Sequence, residues 1–586
     1  MPVQRWILVV MVPLVAGVVA LAQPGRGGSQ WPTARADAQR TSWIRADEKI
    51  SAVSVAKAGF ELQWKVQLEN QPRGAHGLAH GVTAAGVTLF VPISVVAGSS
   101  NTVHAIDNDT GYVVWRRQFD LPLPAATPAC AGGMTAGATR IVRLDDSATA
   151  AAPGVSFGRG FVGYRSLVGE PGEGVPVEGR AGGRGRSTGD PTAPPAAAGR
   201  GAAAGARGGA AAGRGTAAAR PPVPGRSGAQ PAERIPGAPR REEAASPFAF
   251  LFRESGVVYV TTSDGLLHVL GLPSGKDMQR PAPFVPPDAQ PSAPVAVGTM
   301  LYTSTSGQCG GAPSAVWAID LDSEAKPVVS WKTNGGGVVG AVAFTSDGTL
   351  IAAIGSGQTT ADGKANAIVA LDARTLKLKD WFTQPNAEFV TGPTILRHNE
   401  RELVAAATKD GRLIVLDAAS LGGADHATPL ASRAILDSGG RVSADALAAW
   451  RSADTGAMSW ILVPVAGRLP ADVRTTNAAV QSGAVVALKL EDRGGVLSLQ
   501  HGWVSHDLSA PATPVVVNGV VFALATGASA GNTSAGSAAM LHAYDGATGK
   551  RLWHSGKTMT APASPGSLWS GLGQIYVGAR DGTLHA

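Results

Sequence analysis

Cysteine is nearly absent: Cys130 and Cys309 are the only two in 586 residues. That excludes a disulfide-dense scaffold and every C-x-x-C metal or redox motif, and without C-x-x-C-H there is no covalent haem. Charged residues make up 16% and aromatic residues 5%, which is lean for a helical or coiled-coil protein. No long amphipathic helical period stands out. A nucleophile elbow, a phosphate-binding glycine loop and His-Glu-x-x-His are missing as well, so the common hydrolase and nucleotide-binding signatures do not apply.

Net positive charge is missing from most of the chain despite a formal net charge of +7. The stretch Arg180 to Arg241 holds 11 Arg and no Lys, against only Asp190 and Glu233. It carries +9, leaving −2 for everything else. The folded body is therefore near neutral, and its charge predicts no specific nucleic-acid partner.

What the chain has is glycine, 76 of them, placed where turns are needed. It also has an export signal at its start. Arg5 is followed by an apolar stretch from Trp6 to Leu21, broken by Pro13 and Gly17, and Ala20-Leu21-Ala22 forms a small-x-small site before Gln23. Cleavage there predicts a periplasmic or secreted protein with no stable membrane span. The alternative is an uncleaved anchor, since the run is near the lower limit for spanning a bilayer. Two cysteines in an oxidising compartment can pair, although sequence alone does not decide it.

Internal repetition sets the architecture. The clearest unit is Leu541-His-Ala-Tyr-Asp545-Gly-Ala-Thr548-Gly549-Lys-Arg-Leu-Trp553, and it recurs at Val103-His-Ala-Ile-Asp107-Asn-Asp-Thr110-Gly111-Tyr-Val-Val-Trp115. Weaker copies run from Asp320 to Trp331 and from Asp372 to Trp381. Eroded ones surround Asp417, Leu488 with Trp503, and Leu270 with Gly275. Each reads as an alternating strand ending at Asp, a turn with Gly at a positive-φ position, and a second strand carrying Trp. Asp-Gly turns at Ser263–Gly265, Ser346–Gly348, Lys409–Gly411 and Arg580–Gly582 add a second hairpin. Two hairpins make a four-stranded antiparallel blade, and units recur at roughly 40 to 70 residues.

The expected fold is thus all-β, a single β-propeller of eight blades, with seven as the alternative count. The chain ends at Leu584-His-Ala586 just before a Trp strand is due, while Trp64 sits on a Trp strand lacking its turn. The N-terminal strand around Trp64 should therefore complete the last blade and close the ring. The domain layout follows: residues 1–22 signal, 23–59 lead-in, 60–586 propeller. Within the propeller lies a low-complexity Gly/Ala/Pro/Arg insert at 167–245, expected to be disordered and to interrupt the second blade. The insert reads as an expanded, tolerated surface loop, with a basic arm touching anionic surfaces, lipid headgroups or polymers as the alternative.

The Asp-x-x-Thr-Gly-x-x-x-Trp pattern at Asp107–Trp115 and Asp545–Trp553 resembles the tryptophan-docking motif of the pyrroloquinoline quinone (PQQ)-like repeat superfamily. The lead-in from Trp31 to Trp43 resembles the segment that opens many such propellers. Segments Leu62–Pro72, Trp331–Gly337, Leu376–Phe382 and Lys409–Gly423 are similar to exported acidobacterial-type members. The resemblance implies either a quinoprotein dehydrogenase, with PQQ, Ca²⁺ and an Asp base in the central funnel beside adjacent cysteines, or a non-catalytic scaffold. Here Cys130 and Cys309 are far apart, and no acidic cluster matches the metal ligands, so the cofactor stays unknown, with PQQ and Ca²⁺ implied by the resemblance only. No catalytic or metal residue is nominated.

The repeat residues Trp64, Asp107, Gly111, Trp115, Asp320, Trp331, Asp372, Trp381, Asp417, Asp545, Gly549 and Trp553 read as structural: the indoles pack between blades and the aspartates order their own turns. His76 and His80 are the most site-like pair, but the glycines between and beside them argue against a helix that would bring them together. They read as a blade-top loop, and His501 and His506 are treated likewise. The expected function is an exported binding or interaction module, its unknown small-molecule or protein partner meeting the funnel or loops. A diverged PQQ-dependent alcohol or sugar dehydrogenase is the alternative.

Overall fold

The computed structural model of the chain describes residues 30–144 and 256–586, apart from positions 75, 89–90, 128–129, 361–362, 385–386, 438, 453–457, 471–472, 474–476, 478 and 528–535. The expected signal (1–22) and the basic insert (167–245) lie outside the described residues. The chain divides into a unit over residues 1–169 and 237–586 and a second over 170–236. The first is an all-β propeller of eight blades, each with a sheet of its own.

Blades follow in chain order. Blade 1 spans 82–118, blade 3 295–332, blade 4 338–383, blade 5 394–434, blade 6 441–504 and blade 7 515–554. Blade 2 is the thinnest, with strands Val257–Thr261, Leu266–Gly271 and Ala282–Pro283. In place of its inner strand, Thr139 bridges Tyr259. Blade 8 takes Ala563–Gly571, Gln574–Ala579 and Thr583–His585 from the C-terminus and Lys65–Gln67 from the N-terminus. The count is eight, not seven, and the N-terminal strand joins the last blade.

The pairing at that junction is antiparallel, Val66 opposite Leu584. Ala586 N–H donates to the Trp64 carbonyl at 3.1 Å, and Gln63 N–H to the Ala586 carbonyl at 2.9 Å. The sheet that would otherwise end unpaired is filled by its own chain.

Alternation along each strand builds the core between blades. In blade 1, Val103 and Ala105 pack with Val258 and Leu270 of blade 2, while Ile106 belongs to the cluster shared with blades 7 and 8. The third and fourth strands slip register at one equivalent place in four blades: Ala105/Ile106, Ala370/Leu371, Ala487/Leu488 and Ala543/Tyr544. A bulge there adds twist just before the Asp turn.

The Asp-Gly turns differ in placement. Those at Asp264, Asp410 and Asp581 join the second and third strands of their blades, whereas Ser346–Gly348 joins the first and second strands of blade 4. Three of them share their local chemistry, with Thr262, Thr345 and Thr408 hydroxyls donating to Asp264, Asp347 and Asp410. A turn signature fixes a hairpin, not which hairpin.

Candidate functional site

The inner edge of each blade faces the axis, and its first strand carries backbone N–H groups with no partner in its own sheet. Residues Trp31 to Ile44 run round this inner edge as a collar. Its carbonyls accept from the inner strands in order: Trp31 from Thr83 of blade 1, Pro32 from Arg140 at blade 2, Ala38 from Phe344 of blade 4, Gln39 from Ile395 of blade 5, Thr41 from Ala449 of blade 6 and Ser42 from Val516 of blade 7. These six bonds measure 2.8–2.9 Å. Blade 3 is reached by side chains, Thr33 Oγ1 donating to the Pro294 carbonyl at 3.1 Å.

Arg40 is the keystone. It is 2% exposed. Its Nε donates to the Val342 carbonyl at 2.8 Å, Nη1 to Ala34 at 2.8 Å and Nη2 to Ala293 at 3.1 Å. Burial lowers its pKa to about 9, with Asp37 opposing the fall. Burial also raises the pKa of Asp37, countered by Arg45 and by hydrogen bonds from the Thr41 amide and hydroxyl. Arg35, Ala36, Arg40 and Ser42 all adopt positive φ, between 55° and 74°. Four such non-glycine residues in eight persist only where the surroundings over-determine them.

Above the collar, on the face bearing the connections between blades, loops converge on the axis. Arg35 Nη2 meets Asp445 Oδ1 at 3.0 Å, with the arginine 11% and the aspartate 68% exposed. His76 lies on a tight turn closed by mutual backbone hydrogen bonds with Arg73. Its pKa is held below the ordinary imidazole value by burial, then by Arg580, with Asp445 opposing. The pKa of His80 is lowered to about 3 by burial and then by Arg35 and Arg40. Both imidazoles are thus held below their ordinary value, with arginine side chains among their neighbours. His76 and His80 thus sit on a blade-top loop; among the described residues no group of three or more His, Cys, Asp or Glu could hold a metal ion.

The repeat residues occupy the opposite face and the blade interfaces. Trp64 Nε1 donates to the Asn108 carbonyl at 2.7 Å, Trp115 to Leu272 at 2.6 Å, and Trp503 to Gly546 at 2.7 Å. Each indole lies over the turn glycine of the next blade, Gly111, Gly275 or Gly549, where a Cβ would come within 2.5–2.7 Å of the ring. Asp107, Asp320, Asp372, Asp417 and Asp545 accept N–H groups of their own turns. Trp331 packs with Leu376, which takes the positive-φ place of glycine in blade 4. Trp381 stacks on His426 at 4.0 Å. Trp553 meets Phe60 edge-on at 5.0 Å.

Cys130 and Cys309 form a disulfide, Cα atoms 5.7 Å apart and 179 residues apart in sequence. It ties the loop leading into blade 2 to a loop of blade 3, and the bridged cysteines stand in no adjacent pair. Ca²⁺ requires six or more oxygen ligands. The collar offers one carboxylate, Asp37, whose two oxygens already accept from Thr41 and which lies beside Arg40. The residues on the axis do not fit PQQ with Ca²⁺.

The geometry places the chain among known propellers. The repeat family described as "Outer membrane protein assembly factor BamB" matches residues 46–152. That stretch carries a PQQ-like β-propeller repeat. A europium-containing methanol dehydrogenase is similar in structure at TM-score 0.53 and 12% identity, over 94% of this chain and 89% of that one. The quinohemoprotein alcohol dehydrogenase ADHIIG from Pseudomonas putida HK5 is similar at TM-score 0.51 and 12% identity, over 94% of this chain and 75% of that one. At such identities the likeness is one of fold. No protein of curated function matches the PQQ-like chain by sequence.

The collar was not legible as such. Trp31–Trp43 stood out only as a lead-in, and the one available signal was Arg and Asp amid small residues just before the repeats begin.

Proposed function

We propose that this PQQ-like propeller is an extracytoplasmic binding module, not an oxidoreductase, and that it meets its ligand or partner protein at the upper mouth of the axis. The observation that carries the reading is the collar. Residues Trp31–Ile44 satisfy the inner strands that a funnel-bound cofactor would otherwise face, and the buried cation Arg40 is bound there to backbone carbonyls. Above the collar lie the Arg35–Asp445 ion pair and His76, whose electrostatics register both Arg580 and Asp445. That chemistry suits an acidic or carbonyl-rich group. A disulfide-bonded ring and an N-terminal export signal support a location in the periplasm or outside the cell.

The test is direct. Purified protein is titrated with PQQ and Ca²⁺ and assayed for dye-linked oxidation of alcohols and sugars. The binding-module reading expects neither saturable uptake nor turnover. Stoichiometric PQQ binding with turnover would establish the dehydrogenase instead.

A further inference from the structure

One strand position of the repeat carries histidine in four consecutive blades around the closure and an apolar residue elsewhere. His542 stands there in blade 7, His585 in blade 8, His104 in blade 1 and His268 in blade 2. Blades 3 to 6 hold Trp317, Val369, Ile414 and Val486. All four histidines are buried, His104 at 1% exposure and the others at 6%.

Strand alternation fixes where they point. His104 shares a face with Ile106, which packs in the cluster of blades 7 and 8. His542 shares one with Tyr544, which packs against Trp503 of blade 6. His268 lies 4.7 Å from Phe119, at the end of blade 1. Each side chain is thus set in the interface with the preceding blade, and His585 holds the equivalent place in blade 8.

The charged groups beside them divide the four into two kinds. His268 Nδ1 meets Asp277 at 2.8 Å, and Asp277 also pairs with Arg117; a proton on that ring has a carboxylate to meet. The other three face cations. His104 stands opposite Arg116 across the strand pair, and neither of its ring nitrogens has a partner among the described residues. His585 stands opposite Lys65, on the strand that closes the ring, with the Asp581 carboxylate opposing both burial and the lysine. His542 stands opposite His554, with His506 and Arg551 nearby. Like charges directly opposite one another destabilise a strand pair.

We propose that blades 7, 8 and 1 form an acid-sensitive closure seam, in which protonation of His542, His585 and His104 loosens strand pairing where the ring is joined, while blades 3 to 6 stay closed. The supporting electrostatics run the same way. Burial, and then the cations named, depress the pKa of His104 and His542 to about 4, and burial depresses that of His585. The unfolded or opened seam binds protons near the ordinary value, 6.5, so opening becomes easier as pH falls from there.

Hydrogen–deuterium exchange of the full-length protein between pH 7.5 and 4.5, corrected for intrinsic rates, tests this. Protection in Lys65–Gln67, Thr102–Asp107, Met540–Asp545 and Thr583–His585 should fall by on the order of tenfold per pH unit per histidine below 6.5. Ala367–Leu371 and Arg412–Asp417 should stay the more protected at every pH, because they exchange through wider unfolding than the seam does. The variant H104V/H542V/H585V, which installs the side chain native to blades 4 and 6, should remove the pH dependence of the seam. Equal protection of the seam and of blades 3 to 6 at every pH, unchanged protection in the seam, or the same seam loss in the variant would overturn the proposal. Should the triple variant fail to fold, the wild-type pattern still decides, with H585V alone required to protect Lys65–Gln67 at acid pH.

Discussion

Arg40 Nε donates to the carbonyl of Val342 at 2.8 Å, joining two residues 302 apart in sequence. One side chain from the N-terminal collar is thereby fixed to the inner strand of blade 4, and its other nitrogens reach Ala34 and Ala293. A lysine has no planar fork to serve these carbonyls together. Arg40→Lys should therefore destabilise the ring by about 2–4 kcal/mol, read from the midpoint of denaturant unfolding with an unchanged slope.

Gly111 lies under the Trp64 ring with φ +74°, and a Cβ would meet the indole at 2.7 Å. Gly566, with φ +77°, has open space around it. Gly566→Ala should cost about 1 kcal/mol from backbone conformation alone. Gly111→Ala should cost a further 1–3 kcal/mol or so from overpacking. Thermal unfolding of the two variants side by side separates strain from contact.

Reduction of Cys130–Cys309, or the double serine variant, should lower stability by about 2–5 kcal/mol. The bridge closes a loop of 179 residues between the segment leading into blade 2 and blade 3. Melting temperatures with and without reductant measure the effect, and the serine variant should lose its response to reductant.

Global stability should climb with pH between about 4 and 6.5. His104 and His542 bind protons less readily folded than unfolded, so the unfolded chain gains protons first on acidification. Each shift sets a ceiling on the order of 3 kcal/mol. The raised pKa of Asp37 works in the opposite sense, favouring the folded state at lower pH. Unfolding midpoints at half-unit pH intervals should show a positive slope across this window.

The ring was legible in the sequence because its signals are local. An Asp, a Gly four residues on and a Trp beyond state a turn and a docking strand within one stretch, and the missing turn before Trp64 announced the closure. The collar was not, because the partners of Arg40 are backbone carbonyls of Ala293 and Val342, which no residue identity marks. The repeated His of the Leu-His-Ala and Val-His-Ala segments was visible as lettering. Its burial against the preceding blade depends on sheet packing that the alternation alone does not assign. Likewise Ser346–Gly348 looked like its counterparts, although it turns a different hairpin.

The inner-strand amides report the collar most directly. Residue-resolved hydrogen exchange at neutral pH should find the N–H groups of Thr83, Arg140, Phe344, Ile395, Ala449 and Val516 protected to nearly the global unfolding limit, because each donates to a collar carbonyl. Rapid exchange of these six, as for amides lining a water-filled channel, would contradict it.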